Sequence, residues 1–216
     1  QGRLSLAIGE TQAFGGLAKG GLSVRTAENG AEIELHVQFS DVNLEACLRE
    51  LFGFKRLDGT GTVGLSLESS GESIWAMTQN LGGSISVAAE KGALTGFNIE
   101  QLLRRLERRP LSGGRGFRTG RTPFDKLGVA IKIAGGIATF EDVRFEGEAI
   151  RLALAGSASI PARDLDLKGT ASLLSANNGK AEFELPFVVQ GPWDDPLMLP
   201  DPQSLIRRSG AAAPLL

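Results

Sequence analysis

His36 and Cys47 are the only histidine and the only cysteine in this 216-residue chain, and they bound the chemistry its side chains can do. Nucleophilic catalysis needs a hydroxyl or thiol held by a positioned base. His36 alternates with apolar residues beside Glu34 and Gln38, which places it on the wet face of a strand. Cys47 shares helical spacing with Leu44, Leu48 and Leu51, so it reads as a small buried hydrophobe. An activated thiolate needs a positive, part-exposed setting, and a single cysteine excludes a disulfide within the chain. One His, one Cys and no D-x-D-x-D loop leave no set of metal ligands, and no cofactor is expected. Gly59 to Gly64 match G-x-G-x-x-G, but Val63, Leu65 and Leu67 continue as a strand where the dinucleotide fingerprint requires a helix. The acidic pairs Glu141-Asp142 and Asp194-Asp195 are adjacent in sequence, so on a strand they face opposite ways; both read as turn formers. These residues predict a protein that is not an enzyme.

The charge feature with binding chemistry is a run of arginines. Arg104, Arg105, Arg108 and Arg109 share a helical pattern, and Arg115, Arg118 and Arg121 follow in a Gly-rich stretch expected to be a mobile loop. A solvated helix face accounts for them; so does contact with anionic lipid headgroups, since the helix also carries an apolar stripe. Nucleic acid is not expected, because no aromatic residues interleave to stack bases. A net charge of −2 gives no global pull toward either partner. With 42% apolar and 22% charged residues, the composition is that of a folded globular chain. No run approaches the roughly 20 apolar residues of a spanning helix, and no signal peptide opens the sequence. The chain begins Gln1-Gly2-Arg3 without a Met, so it is expected to be a fragment or a processed form.

Alternation with period two organises most of the sequence. It runs through Leu4, Leu6 and Ile8, then Leu22 and Val24 after a Gly-rich link at 15–21, then Ile33 to Phe39, Val63 to Leu67, and Ile85 with Val87. It resumes through Leu127, Val129, Ile131 and Ile133, and Gly135-Gly136 reads as a hairpin turn. From Ile137 the pattern changes face between Phe140 and Val143, which predicts a bulge near Glu141-Asp142. Ile150 to Leu154, Leu165 with Leu167, and Phe183 to Val189 complete about ten strands. Three short helices are predicted: Leu44 to Phe52 capped by Asp41 or Asn43, a second from Ser73 through Leu81, and Ile99 to Arg109 capped by Asn98 and stopped by Pro110.

Clean alternation predicts a mainly β (α+β) fold, mostly antiparallel, with about three short helices; a curled sheet forming a groove or half-barrel, or a sandwich, would each bury its apolar face. Three short helices cannot cover ten amphipathic strands, so the apolar face must pack on itself or on something else. Residues 1–191 are read as the β-groove domain and 192–216 as an irregular tail. The face comprises Leu65, Leu67, Ile85, Val87, Val129, Ile131, Ile133, Leu152, Leu154, Leu165, Leu167, Leu185 and Phe187. These are the candidate lipid-lining residues, with an acyl chain of a lipid or another greasy chain as the ligand.

An ordered series of short motifs adds to this reading. Leu57-Asp58-Gly59-Thr60-Gly61 opens a strand, and Leu81-Gly82-Gly83-Ser84-Ile85-Ser86-Val87 leads to Lys91-Gly92-Ala93-Leu94-Thr95-Gly96-Phe97-Asn98-Ile99. Then come Thr122-Pro123-Phe124-Asp125-Lys126-Leu127, Gly135-Gly136-Ile137, Leu154-Ala155-Gly156, Gly191-Pro192-Trp193-Asp194-Asp195-Pro196 and Leu199-Pro200-Asp201. Over residues 55–202 this series resembles the C-terminal region of the AsmA family of bacterial envelope proteins. The resemblance implies a long twisted β structure with a hydrophobic groove, in the periplasmic part of an inner-membrane-anchored protein. It implies phospholipid movement or homeostasis between inner and outer membranes, with contacts to the membrane surface or to envelope assembly proteins. An alternative role it implies is a non-enzymatic structural factor in outer-membrane protein biogenesis. No catalytic residues come with it.

Overall fold

The computed structural model describes residues 2–27, 30–108 and 119–201. The strands and helices follow in chain order: β1 (Arg3–Ala13), β2 (Gly16–Ala27), β3 (Gly30–Asn43), α1 (Leu44–Phe52), β4 (Leu57–Gly71), α2 (Ile74–Gln79) and β5 (Gly82–Thr95). The second half continues with α3 (Ile99–Arg108), β6 (Arg121–Ala134), β7 (Ile137–Glu146), β8 (Ile150–Ser159), β9 (Asp164–Leu174), β10 (Ala181–Pro192) and β11 (Leu197–Pro200). Among the described residues, eleven strands form one antiparallel sheet in sequence order, with no crossover and no closure into a barrel. The expected mainly β, curled architecture with three helices is the one observed.

Register explains why the alternation is so regular. Leu6, Leu22, Leu35 and Leu67 stand opposite one another across β1 to β4. One row further along, Val37, Leu65, Ile85, Ile131 and Phe140 align. The next row runs Phe39, Val63, Val87, Val129, Val143 and Leu154, and another runs Leu127, Phe145, Leu152, Ala171 and Leu185. The aligned sets therefore turn to the same, concave side, and a one-residue slip would expose a whole set; on β11 Met198 faces inward, whereas Leu197 and Leu199 pair with Gln190 and Val188 on the other face and are exposed. The bulge on β7 preserves this: Asp142 pairs with Ala130 and Phe140 with Ile131, which leaves Glu141 as the extra residue.

Three local expectations are revised. The Gly-rich stretch at 15–21 is not a link but a tight turn followed by β2 itself. Its glycines admit close backbones: a Cβ at Gly20 would sit 2.0 Å from the His36 carbonyl oxygen of β3. The 192–216 segment, read as irregular, contains β11, which pairs Leu197 with Gln190 and Pro200 with Phe187. Its prolines mask the strand signal but are tolerated because β11 is an edge. Leu51, placed by spacing on the buried face of α1, is exposed, because the helix packs through its first two turns only. Arg109 and the loop residues to 118 lie outside the described residues, and α3 is described through Arg108.

Candidate functional site

Two of the three helices are inserted at one end of the concave face. Asn43 caps α1 by accepting from the Ala46 N–H at 2.8 Å, and Gly53 closes it in the left-handed region. Leu44 and Cys47 of α1 are fully buried, and Leu44 reaches across Gly61 of β4, where a Cβ would touch its Cδ1 at 3.1 Å. Asn98 caps α3 through the Gln101 N–H, and the buried Thr122 hydroxyl accepts from the Ile99 N–H while donating to the Phe97 carbonyl. From there α3 crosses toward β9 and β10, burying Ile99, Leu103 and Leu106 in the same core as Leu173 and Leu185. Burial pushes the Cys47 thiol pKa up, away from the thiolate that nucleophilic chemistry needs.

The candidate lining residues share the concave face, but the protein largely covers them itself. Leu65, Val87, Ile133, Leu152, Leu167, Leu185 and Phe187 are buried, and Leu67, Ile85, Val129, Ile131, Leu154 and Leu165 are half-buried. The uncovered part of the face lies on β1 to β3, toward the end remote from α1 and α3. Leu4 and Leu6 are 63% and 54% exposed there, and Leu22, Val24, Ile33 and Leu35 beside them are only half-buried. Pattern reading gives these residues the same rank as the buried ones, since nothing in alternation marks which stretch a helix will cover. The floor of this strip ends at Phe14 and Phe39, whose rings pack 5.7 Å apart.

The arginines are more diluted than their run suggests. Arg104, Arg105 and Arg108 are exposed on α3, but Glu100 and Glu107 share the helix, and Glu100 pairs with Arg104 at 2.9 Å. Arg109, the fourth candidate headgroup contact, lies outside the described residues. Gly59 to Gly64 form part of β4, with a bulge between Gly59 and Gly61, and do not open a helix. His36 is on the exposed face as expected, and cross-strand register brings the Ser66 hydroxyl to 2.9 Å from its Nδ1. Thirty residues separate that pair in sequence, so only the register reveals it. No helix among the described residues is long and apolar enough to cross a membrane.

An open antiparallel meander, curled around two helices and apolar along its whole concave side, defines a β scaffold whose distinguishing surface is that face. The chain belongs to the AsmA family: the family model matches residues 1–143. Membership points to an envelope-associated role. The match takes in residues 1–54, where no nameable motif lies, and it shares 55–143 with the motif series. Neither the curated proteins nor the solved structures offer a match to the chain.

Proposed function

We propose that this chain is a lipid-binding segment of a periplasmic envelope protein, the soluble part of an inner-membrane-anchored chain, that contributes to phospholipid transport or homeostasis between inner and outer membranes. The observation that carries the proposal is the uncovered apolar strip on β1 to β3, where Leu4 and Leu6 stand exposed at the edge of a face that is buried or half-buried elsewhere. An acyl chain laid on that strip replaces the missing cover. Each methylene removed from water contributes about 0.8 kcal/mol, so binding needs no directional contact and no covalent step. The ligand's headgroup stays in water, which makes selectivity among headgroups weak. The test is organic extraction of the purified protein followed by mass spectrometry, together with titration of a fluorescent fatty acid. Phospholipid in the extract and saturable probe binding support the proposal; an empty extract and no probe binding overturn it.

A second reading, a non-enzymatic assembly module for outer-membrane protein biogenesis, is favoured by one observation: most of the candidate lining is buried in the protein's own core. Under that reading the exposed strip contacts protein, and saturating fatty acid leaves partner binding unchanged.

A further inference from the structure

At the end of the sheet remote from α1 and α3, the short helix α2 carries Ile74 and Trp75, which are 82% and 59% exposed. Nothing about α2 is loosely held. Ser73 caps it, the Ser69 hydroxyl donates to the Met77 carbonyl at 2.6 Å, and the Asn80 side chain donates to the Ser70 carbonyl. A Cβ on Gly71 would come within 2.9 Å of the Ala76 Cβ, so only glycine lets the helix sit this close to β4. Ser69 and Gly71 follow Leu65 and Leu67 in the concave alternation, and they pair with Ile33 and Ala31 of β3. The helix is therefore fixed beside the uncovered strip, with its half-buried Ala76 and Met77 toward the sheet and its two large apolar side chains in water.

We propose that α2 is a bilayer-docking element: Ile74 and Trp75 insert into the interfacial region of a lipid membrane and bring the uncovered strip of β1 to β3 against it. The inference rests on the lipid-binding reading, since a bilayer at this end is the source from which acyl chains reach the strip. Two features select a bilayer over a protein partner. The sequence of α2, Ile-Trp-Ala-Met-Thr-Gln, holds no charge, and an indole with its apolar body and single N–H suits the headgroup boundary. The protrusion is also small: an aromatic side chain buries about 150–250 Å², whereas a stable protein interface takes roughly 800 Å² from each partner. Because insertion is apolar, it is insensitive to salt, unlike docking through the arginines of α3.

The experiment uses vesicles of pure phosphatidylcholine at low and high salt. The chain has two tryptophans, and Trp193→Phe leaves Trp75 as the sole reporter. The expected result is a blue shift of Trp75 emission, quenching by brominated lipid, and co-sedimentation at both salt concentrations. Ile74→Ser/Trp75→Ser should weaken co-sedimentation about tenfold or more while leaving fluorescent fatty-acid titration unchanged. If Trp193→Phe does not fold, the same quenching measured on the unmodified chain and on Trp75→Phe gives the Trp75 contribution by difference. Vesicle binding by the double variant equal to the parent overturns the inference, as does binding that requires anionic lipid and disappears in high salt. Absence of fatty-acid binding instead refutes the lipid-binding reading, and it is read in a separate titration.

Discussion

Replacing Leu4 and Leu6 together by serine should weaken acyl-chain binding by roughly 30- to 150-fold while leaving the fold intact. Burying a leucine fully contributes about 1.5–3 kcal/mol. Leu4 and Leu6 are 63% and 54% exposed, so somewhat more than half of that area remains for a ligand to cover. Each side chain then contributes about 1–1.5 kcal/mol of contact, and the pair roughly 2–3 kcal/mol, which is the stated range in Kd. Stability should hardly change, since exposed positions outside special features shift it by about 0.5 kcal/mol or less. Fluorescent fatty-acid titration gives the Kd, and circular dichroism with thermal unfolding checks the fold. The contrast is Leu185→Ala, a buried candidate lining residue, which should cost about 2–5 kcal/mol of stability. A folded double variant whose Kd stays within about threefold of the parent would refute the assignment of the strip as the binding surface.

Three further perturbations test the architecture. Gly20→Val places side-chain carbon against the His36 carbonyl, where even a Cβ sits at 2.0 Å; a loss of about 3 kcal/mol should appear as a lowered denaturation midpoint at unchanged slope. Asn43→Ala removes the acceptor for the Ala46 N–H and should cost about 1 kcal/mol in thermal unfolding, with Asn43→Asp recovering most of it. Burial raises the Cys47 thiol pKa above that of the unfolded chain, so the unfolded state releases its proton first. Its term is neutral below the ordinary thiol range, and stability falls as pH rises from the unfolded thiol pKa toward the folded one; Cys47→Ala should lack that alkaline decline.

The elements were legible because each was written in a local code. Val129, Ile131 and Ile133 are inward by simple alternation, and the mismatch between Phe140 and Val143 places a bulge near Glu141-Asp142, where Glu141 is the extra residue. Asn43, Ser73 and Asn98 cap the three helices through side-chain oxygens that accept from N–H groups three residues on. What escaped was whatever depends on the distance between strands. Gly16 and Gly20 look like a flexible link until the β3 backbone is placed against them. His36 and Ser66 become neighbours only through the β3–β4 register. The candidate lining suffers from the same blindness: Leu6, Leu35 and Leu67 occupy one register row, yet Leu6 is exposed while Leu35 and Leu67 are half-buried.

The difference between covered and uncovered rows comes from where the helices enter. The connections after β3 and β5 lie at the same end of the sheet, because each intervening strand reverses direction; α1 and α3 therefore fill that end together. The connection after β4 is at the other end; its helix packs on Ser69 and Gly71 and abuts the Gly136 turn through Thr78. The apolar face is in consequence closed at the α1 and α3 end; at the other end a second buried cluster, Ile133, Ala138 and Ala158, closes it over β6 to β8, and it is accessible over β1 to β3. The two sheet edges differ as well: β11 is four residues long and ends on Pro200, whereas β1 runs for eleven residues with neither Pro nor Lys. Under the lipid-binding reading this asymmetry orients the ligand. The methyl end of an acyl chain lies toward Phe14 and Phe39, where the floor is aromatic and helix α1 stands behind it, and the headgroup lies toward α2, where water reaches the strip. A spin label along the acyl chain discriminates this orientation from its reverse: a label near the methyl end should broaden the Phe14 and Phe39 resonances, and one near the headgroup should broaden those of Leu4 and Trp75. The reversed pattern would remove the blind end as the determinant of how the ligand lies.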